Sequence, residues 1–332
     1  MTTADRLQPD TINRHVANVY PALAMLAGMQ LEVFTPLGDG PKTVEEVAAA
    51  LGVNAVKLGP LMYALVTAGM LTLDGGRFAN TPEAQEFLVK GGSRYLGEIA
   101  GAYADLWSST MHTAASIRSG RPQAKHDFAN MTKDELSGFI RGMDAGASAA
   151  ARRLNKEFDL AQKRRLLDAG GGSGGLSVAL CRLCPSLRAT VAELPSVAVI
   201  TRDCIAEAGL GARIEVCDVD LVNGTLSGGY DVAALRSVLQ VMSADAAART
   251  VRNVAAALDS GGVLFAVGRM LDDTRLAPAD AVAANVMFLN VYEDGQAYTE
   301  SEYRGWFEAA GLRDLARLPL AGGYSIYSGR KA

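Results

Sequence analysis

Three acidic residues and a run of glycines are where this sequence could do chemistry. The stretch Leu167-Asp168-Ala169-Gly170-Gly171-Gly172-Ser173-Gly174-Gly175 lies between a short apolar run and a helical pattern, and Gly170, Gly172 and Gly175 satisfy G-x-G-x-x-G. By spacing alone that pattern admits a dinucleotide. Asp168 discriminates, because a carboxylate two residues before the first glycine repels a pyrophosphate and attracts a cationic ligand with an ammonium and a sulfonium. S-adenosylmethionine (SAM) is such a ligand, and the glycines serve it in the same way, since absent side chains let the backbone approach closely. Glu193 ends the next expected strand, where a carboxylate can accept both hydroxyls of a ribose. Asp218 ends the third, Glu215-Val216-Cys217-Asp218-Val219, where it could accept from an adenine amino group. One acid at a strand end is commonly a helix cap or turn residue. Three in succession at the top of a sheet are hard to assign to caps.

The elements that must hold these residues follow from the pattern after residue 165. Strands are expected at Leu166-Leu167, Leu187 to Glu193, Ile214 to Cys217, Asp231 to Leu239 and Val263 to Val267. Helices are expected to about Cys184, over Ser196 to Ala208 and over Ala244 to Leu258, and a late helix at Glu300 to Ala310 precedes strands at Leu312 to Leu318 and Tyr324 to Ser328. Alternating strands and helices imply an α/β, Rossmann-like, doubly wound sheet with its ligand at the carboxyl ends of the strands.

Before residue 165 the apolar spacing is helical. Ile12 to Leu31 carries Val16, Tyr20, Leu23, Leu26 and Met29 at helical intervals. Thr43 and Glu46 form a capping-box signature, a second helix runs from about Ala55 to Gly69, and Leu71 to Phe78 reads as a hairpin around Asp74-Gly75-Gly76. Helix, helix and hairpin make a winged-helix unit. From Asp39 to Phe78 it carries three basic residues against four acidic ones, whereas a duplex binder needs an excess of cations, so packing or dimerisation is the expectation. The cluster Arg152, Arg153, Lys156, Lys163, Arg164 and Arg165 reads as a solvated helix face and linker.

Composition narrows the class. The 332 residues are 49% hydrophobic and 20% charged with a net charge of −4, which excludes disorder and a broad cationic face for nucleic acid. No run approaches the ~18 apolar residues of a membrane span, and the N-terminus lacks the order of a secretory signal. Four cysteines in so long a chain do not make a disulfide framework, so the expected location is cytoplasmic. Cys181 and Cys184 stand alone inside a helix without a second pair or a nearby histidine, so no metal is expected.

With these residues in view, the sequence resembles the class I SAM-dependent methyltransferases, and within them the small-molecule O-methyltransferases with an N-terminal winged-helix dimerisation domain. The resemblance covers nearly the whole chain, through Val44-Glu-Glu-Val-Ala48, Leu61 to Leu71, Phe139 to Met143, Asp168 to Gly174, Glu193-Leu194-Pro195, and Tyr298 to Tyr303 leading to Ala309-Ala-Gly-Leu312. It implies a homodimer with a dimerisation region at 1–95, a helical linker and substrate-capping region at 96–160, and a SAM-binding domain at 161–332. It places Asp168, Gly170, Gly172, Glu193, Leu194, Asp218 and Val219 at the cofactor, with Arg236 where the family often has a lysine. Phe139 and Met143 fall on the helix that walls the methyl-transfer site, and Ala147 replaces a serine of the family's pattern.

The departure from the family is at its base. O-methylating members carry a histidine after the fourth strand, oriented by two glutamates, and those positions here read Gln240, Gly268 and Ala297. The chain's histidines, His15, His112 and His126, all precede the sheet domain. General-base catalysis is typically worth about 10²–10⁴-fold, so an acceptor that must lose a proton would be methylated poorly. Three readings follow: a nucleophile with no proton to lose, such as a thioether sulfur; methylation at carbon or another reaction on an electron-rich substrate; or a SAM-binding protein without methylating activity. The first best resembles the bacterial S-methyltransferases of dimethylsulfoniopropionate synthesis, which act on 4-methylthio-2-hydroxybutyrate. It would use Tyr103, Trp107, Phe139, Met143, Gln240, Met287 and Tyr292 as the substrate pocket, with Met242 and Phe288 as further wall and Arg141 or Arg269 for the carboxylate. His112 stays open as a relocated base.

Overall fold

The computed structural model describes residues 7–92, 94–126 and 131–332. They form two compact units, divided after Ala104. In the first, helix α1 (Asp10–Gln30) is followed by α2 (Val44–Leu51), α3 (Ala55–Thr67), the hairpin strands β1 (Leu71–Asp74) and β2 (Arg77–Asn80), and α4 (Pro82–Phe87). Thr43 Oγ1 accepts from the Glu46 amide while Glu46 Oε2 accepts from the Thr43 amide, closing the capping box at the start of α2. Asn54 caps α3, and the hairpin pairs Leu71 with Asn80 through Asp74 with Arg77. The core of this unit is Val33, Phe34, Val47, Leu58, Met62, Leu65 and Phe78. Along α1, Ile12, Val16, Val19, Tyr20 and Leu23 stay between 46% and 67% exposed. Their i, i+4, i+7, i+8, i+11 spacing makes one apolar stripe.

Helix α5 (Ala100–Thr110) leads into the second unit, which contains α6 (Thr113–Ser119), α7 (Lys133–Gly142) and α8 (Ala147–Phe158) before the first sheet strand, β3 (Arg165–Ala169). After it come α9 (Gly175–Leu183), β4 (Arg188–Glu193), α10 (Pro195–Glu207), β5 (Ile214–Asp218), β6 (Tyr230–Arg236), α11 (Ala244–Ala257) and β7 (Leu258–Leu271). The chain ends with α12 (Ala279–Val291), β8 (Tyr298–Thr299), α13 (Glu300–Ala309), β9 (Leu312–Pro319) and β10 (Tyr324–Lys331). The strand order is β5-β4-β3-β6-β7-β10-β9, with β8 beside the end of β7. Strands β3 to β7 are parallel, and β10 runs antiparallel to both its neighbours.

The parallel strands are short runs buried on both faces, Leu166 to Ala169 and Val232 to Leu235 for example, as sheets covered by helices on either side require. Ala151, Leu154 and Leu160 join the core cluster built on Leu166, Leu180, Val191 and Phe265. That packing is why α8, expected to belong to a separate linker region, lies in one unit with the sheet. Two features differ from the sequence reading. Strand β7 extends at both ends of the expected Val263–Val267, and α12 occupies a stretch for which no helix was expected. The order of pairing reverses between β3 and β6, which opens a crevice at their carboxyl ends.

Candidate active site

The crevice is a cavity of about 310 Å³. One end is made by the turns that leave the strands. Gly170, Gly171, Gly172 and Ser173 follow β3, Glu193 and Leu194 follow β4, Val219 to Val222 follow β5, and Arg236 to Val238 follow β6. The glycine loop is held by the end of β4 and by α10. The Gly170 amide donates to Ala192 O at 2.8 Å, the Gly172 amide to Glu193 Oε1 at 2.9 Å, and Thr201 Oγ1 on α10 donates to Gly172 O. Gly170 has φ +70°, and a Cβ there would stand 2.5 Å from Val238 Cγ2, so no larger residue fits.

Asp168 is fully buried beneath this loop. Its Oδ2 accepts from Ser177 Oγ at 2.7 Å, while Oδ1 has no hydrogen-bond partner among the described residues. Burial drives its carboxyl above the ordinary carboxylate range, against the pull of the Ser177 bond and the Arg236 charge. A buried, half-satisfied carboxylate is costly, and a ligand cation is the group that would complete it. Glu193 is also pushed up by burial, opposed by the Gly172 and Leu194 amides, each donating to one carboxylate oxygen. Each of those oxygens keeps a lone pair for a hydroxyl donor.

The other end is apolar. Phe139 and Ile140 from α7, Met143 just after it, Val241 and Met242 after β6, and Tyr292 after α12 wall it. Arg236 Nη2 donates to Met143 O at 3.0 Å, and Ser173 Oγ donates to Asp144 Oδ1, so α7 is tied directly to the strand turns. Behind the wall lies His126. Its ring meets Phe139 edge-on, with centroids 4.8 Å apart, and Tyr292 at 6.0 Å. Its Nε2 is 2.8 Å from Asp105 Oδ2 on α5.

Of the residues singled out from the sequence, Phe139, Met143, Tyr292, Asp168, Gly170, Gly172, Glu193, Leu194, Val219 and Arg236 are brought to this one cavity. Others are not. Arg141 sits two residues from both Phe139 and Met143, hence on the far side of α7, and its guanidinium binds Glu207 bidentately at 2.7 and 2.8 Å. Asp218 is turned to Arg202 on α10, with which it forms an ion pair, and Val219 faces the cavity in its place. Gln240 is buried with Oε1 accepting from the Arg269 amide at 3.1 Å. A Cβ on Gly268 would lie 3.0 Å from that oxygen, so the amide fills the space that the missing side chain of Gly268 leaves.

Arg269 itself is taken up by Gly322 O at 2.6 Å and by stacking on Tyr324. Met287 packs with Leu271, Ala281, Phe288 and Ala297 in a small core. Tyr103 falls in the N-terminal unit, and Trp107, half-buried on α5, is not among the residues lining the cavity. His112 is exposed at the start of α6. Cys181 and Cys184 are buried, with Sγ atoms near Leu187 O and Asn155 Oδ1, and burial raises both thiols. Sequence reasoning missed Asp220, Leu221 and Ile140 as wall residues, and no local signal marked His126, whose partner lies 21 positions earlier.

Residues 113–313 match the family model of the O-methyltransferase domain, and residues 15–90 that of the O-methyltransferase dimerisation domain. The chain belongs to the O-methyltransferase family. It is 27% identical over 98% of its length to the 3-hydroxy-5-methyl-1-naphthoate 3-O-methyltransferase of Streptomyces sahachiroi, of which it covers 96%. With the L-tyrosine C(3)-methyltransferase of Streptomyces lavendulae it shares 27% identity over 86% of this chain and 82% of that one. The crystal structure of human N-acetylserotonin methyltransferase in complex with SAM superposes with a TM-score of 0.82 at 22% identity, covering all of this chain and 99% of that one.

This O-methyltransferase-family protein is therefore a SAM-dependent methyltransferase. The residues present fit the cofactor: Asp168, with Oδ1 unpartnered among the described residues, would take its ammonium, and the oxygens of Glu193 would take its ribose hydroxyls. The matched dimerisation domain, together with the apolar stripe on α1, supports a homodimer. Among the described residues no single helix is long and apolar enough to cross a membrane.

Proposed function

We propose that this enzyme methylates a flat, phenolic small molecule. The observation that carries the reading is the apolar end of the cavity, walled by Phe139, Tyr292, Met143 and Met242. Aromatic faces and polarisable thioethers suit an aromatic ring. The relatives act, by their names, on a naphthoate hydroxyl and on the ring of tyrosine, both phenolic acceptors, and that supports the same class here. SAM, when bound, supplies the methyl group from its sulfonium and leaves as a thioether. The protein's part is to hold the ammonium at Asp168 and the ribose at Glu193, to exclude water with the α7 wall, and to align the acceptor with the methyl.

A second reading, S-methylation of a thioether such as 4-methylthio-2-hydroxybutyrate, has the Gln240 position in its favour, since no base stands after β6. Both arginines that would have met its carboxylate are taken up elsewhere, Arg141 by Glu207 and Arg269 by Gly322. The test is methyl transfer from labelled SAM to a panel of phenols, enols and thioethers. Label in phenolic products is the expected result. Label confined to a thioether would overturn the phenolic reading in favour of the second.

A further inference from the structure

The third glycine of the loop is dictated by a residue from outside it. A Cβ on Gly175 would stand 2.5 Å from Asp144 Cγ, so the carboxylate of Asp144, in the turn between α7 and α8, fills the space at the start of α9 that a side chain there would need. We infer that Asp144 is a positioning residue: docked on Ser173 and Gly175, it holds the end of α7 in register with the cofactor loop and so couples the acceptor wall to the bound cofactor. Nothing in this coupling depends on the acceptor being a phenol.

Two bonds fasten this turn, and both come from residues that line the cavity, Ser173 and Arg236. Ser173 Oγ donates to Asp144 Oδ1 and itself accepts from the Gly175 amide at 3.2 Å. Carboxylate, hydroxyl and the first amide of α9 thus form one chain, at a helix end whose dipole favours negative charge. Arg236 Nη2 donates to Met143 O at 3.0 Å, and a Cβ on Gly146 would lie 3.7 Å from Nη1 of the same guanidinium. The other anchors of α7 lie along its length. Leu136 and Ile140 pack with Val197 and Ile200 of α10, and Arg141 binds Glu207. They hold the helix to α10, whereas Asp144 bonds its end to the glycine loop.

Charge links the turn to the cofactor. Burial is the main cause that raises the Asp168 carboxyl, and the Asp144 charge adds to it, against Ser177 and Arg236. The two carboxylates therefore repel one another, and an ammonium held at Asp168 offsets that repulsion and favours Asp144 in its docked place. By linkage, the docked turn favours the ammonium to the same extent. The wall follows the turn, because Phe139 and Ile140 lie four and three residues before Met143, on the same face of the helix end, and all three reach the cavity.

The test is hydrogen exchange of the full chain, with and without S-adenosylhomocysteine, for the unaltered protein, Asp144→Ala, Gly175→Ala and the double variant. The reporters are the Met143 and Ala147 amides, which donate to Phe139 O and Asp144 O. In the unaltered protein the ligand should slow exchange over 139–147 by about 5–150-fold, the range of ordinary coupling between sites, and should slow the glycine loop as well. In Asp144→Ala the loop should still be slowed and 139–147 should not. Gly175→Ala keeps Asp144 but puts a methyl where its carboxylate docks, so it should give the same pattern, and adding it to Asp144→Ala should change nothing further. Should Asp144→Ala not fold, Gly175→Ala carries the test, since alanine is the better helix former. Equal slowing over 139–147 in every variant would overturn the inference. Absence of slowing at the glycine loop of the unaltered protein would instead overturn the placing of the cofactor.

Discussion

The two ends of the cavity are built in opposite ways. The cofactor end is made of consecutive strand ends, where one buried acid and one part-buried acid are fixed by the strands and the turns that leave them: Asp168 by β3 and by Ser177 on α9, Glu193 by the Gly172 and Leu194 amides. The acceptor end is assembled from α7, the turn after β6 and the residue that follows α12. A ligand common to a whole family can be met by residues that cannot move without breaking the sheet. An acceptor that differs between members is met by helices and loops around it, so that end can change while the cofactor end stays the same.

The comparison breaks first at Asp168. Asp168→Asn keeps the acceptor for Ser177 and removes the charge. SAM should bind at least about 30-fold more weakly, the loss of about 2 kcal/mol or more expected for one partner of a buried charge pair. The apoprotein should melt higher, because an unpaired buried carboxylate is gone. Calorimetric titration with SAM and a thermal melt measure both, and unchanged affinity would place the ammonium elsewhere. On the acceptor side, Gln240→His restores the family's residue but leaves the part-buried Arg269 amide without its acceptor. It should cost about 1–3 kcal/mol of stability in denaturant unfolding and should not speed methyl transfer to a weakly acidic phenol, since Gly268 and Ala297 supply no orienting carboxylate. A faster rate would show that the post-β6 position remains the seat of the base.

Tyr292→Phe is a smaller change. It keeps the ring of the acceptor wall and removes only the hydroxyl, so the acceptor's KM should rise by no more than the loss of one neutral hydrogen bond allows, about 0.5–1.5 kcal/mol or several-fold, with that of SAM unaltered in steady-state kinetics. The smallest effect is in pH. Asp168 is raised in the folded state, so between the ordinary carboxylate range and its own higher value the folded protein binds the extra proton and stability falls as pH rises. The stability advantage of Asp168→Asn should therefore be present at neutral pH and shrink as pH falls to the ordinary range, read from melts across that interval.

The cofactor end was legible in the sequence because its signals are local: a strand, a glycine loop and an acid at each strand end, all within 52 residues from Leu167 to Asp218. Even there, Asp218 is drawn off by Arg202, a partner that only the packing of α10 against β5 supplies. Helix α12 went unseen because it is apolar on every face, without the stripe by which a helix is read from sequence. Arg141 was misplaced for want of a helix phase, since Phe139 and Met143 share a face and the residue midway between them does not. His126 had no signal at all. Its meaning comes from Asp105, Phe139 and Tyr292, which the fold alone brings together.

The central claim is that one cavity holds SAM at Asp168 and Glu193 and presents its methyl to a phenol against Phe139 and Tyr292. A crystal structure with S-adenosylhomocysteine and a phenolic acceptor tests it most directly. The account predicts the ammonium on Asp168 Oδ1, the ribose on Glu193, and the acceptor ring on the aromatic wall. An acceptor ring away from Phe139 and Tyr292, or a cofactor with its ribose away from Glu193, would contradict it.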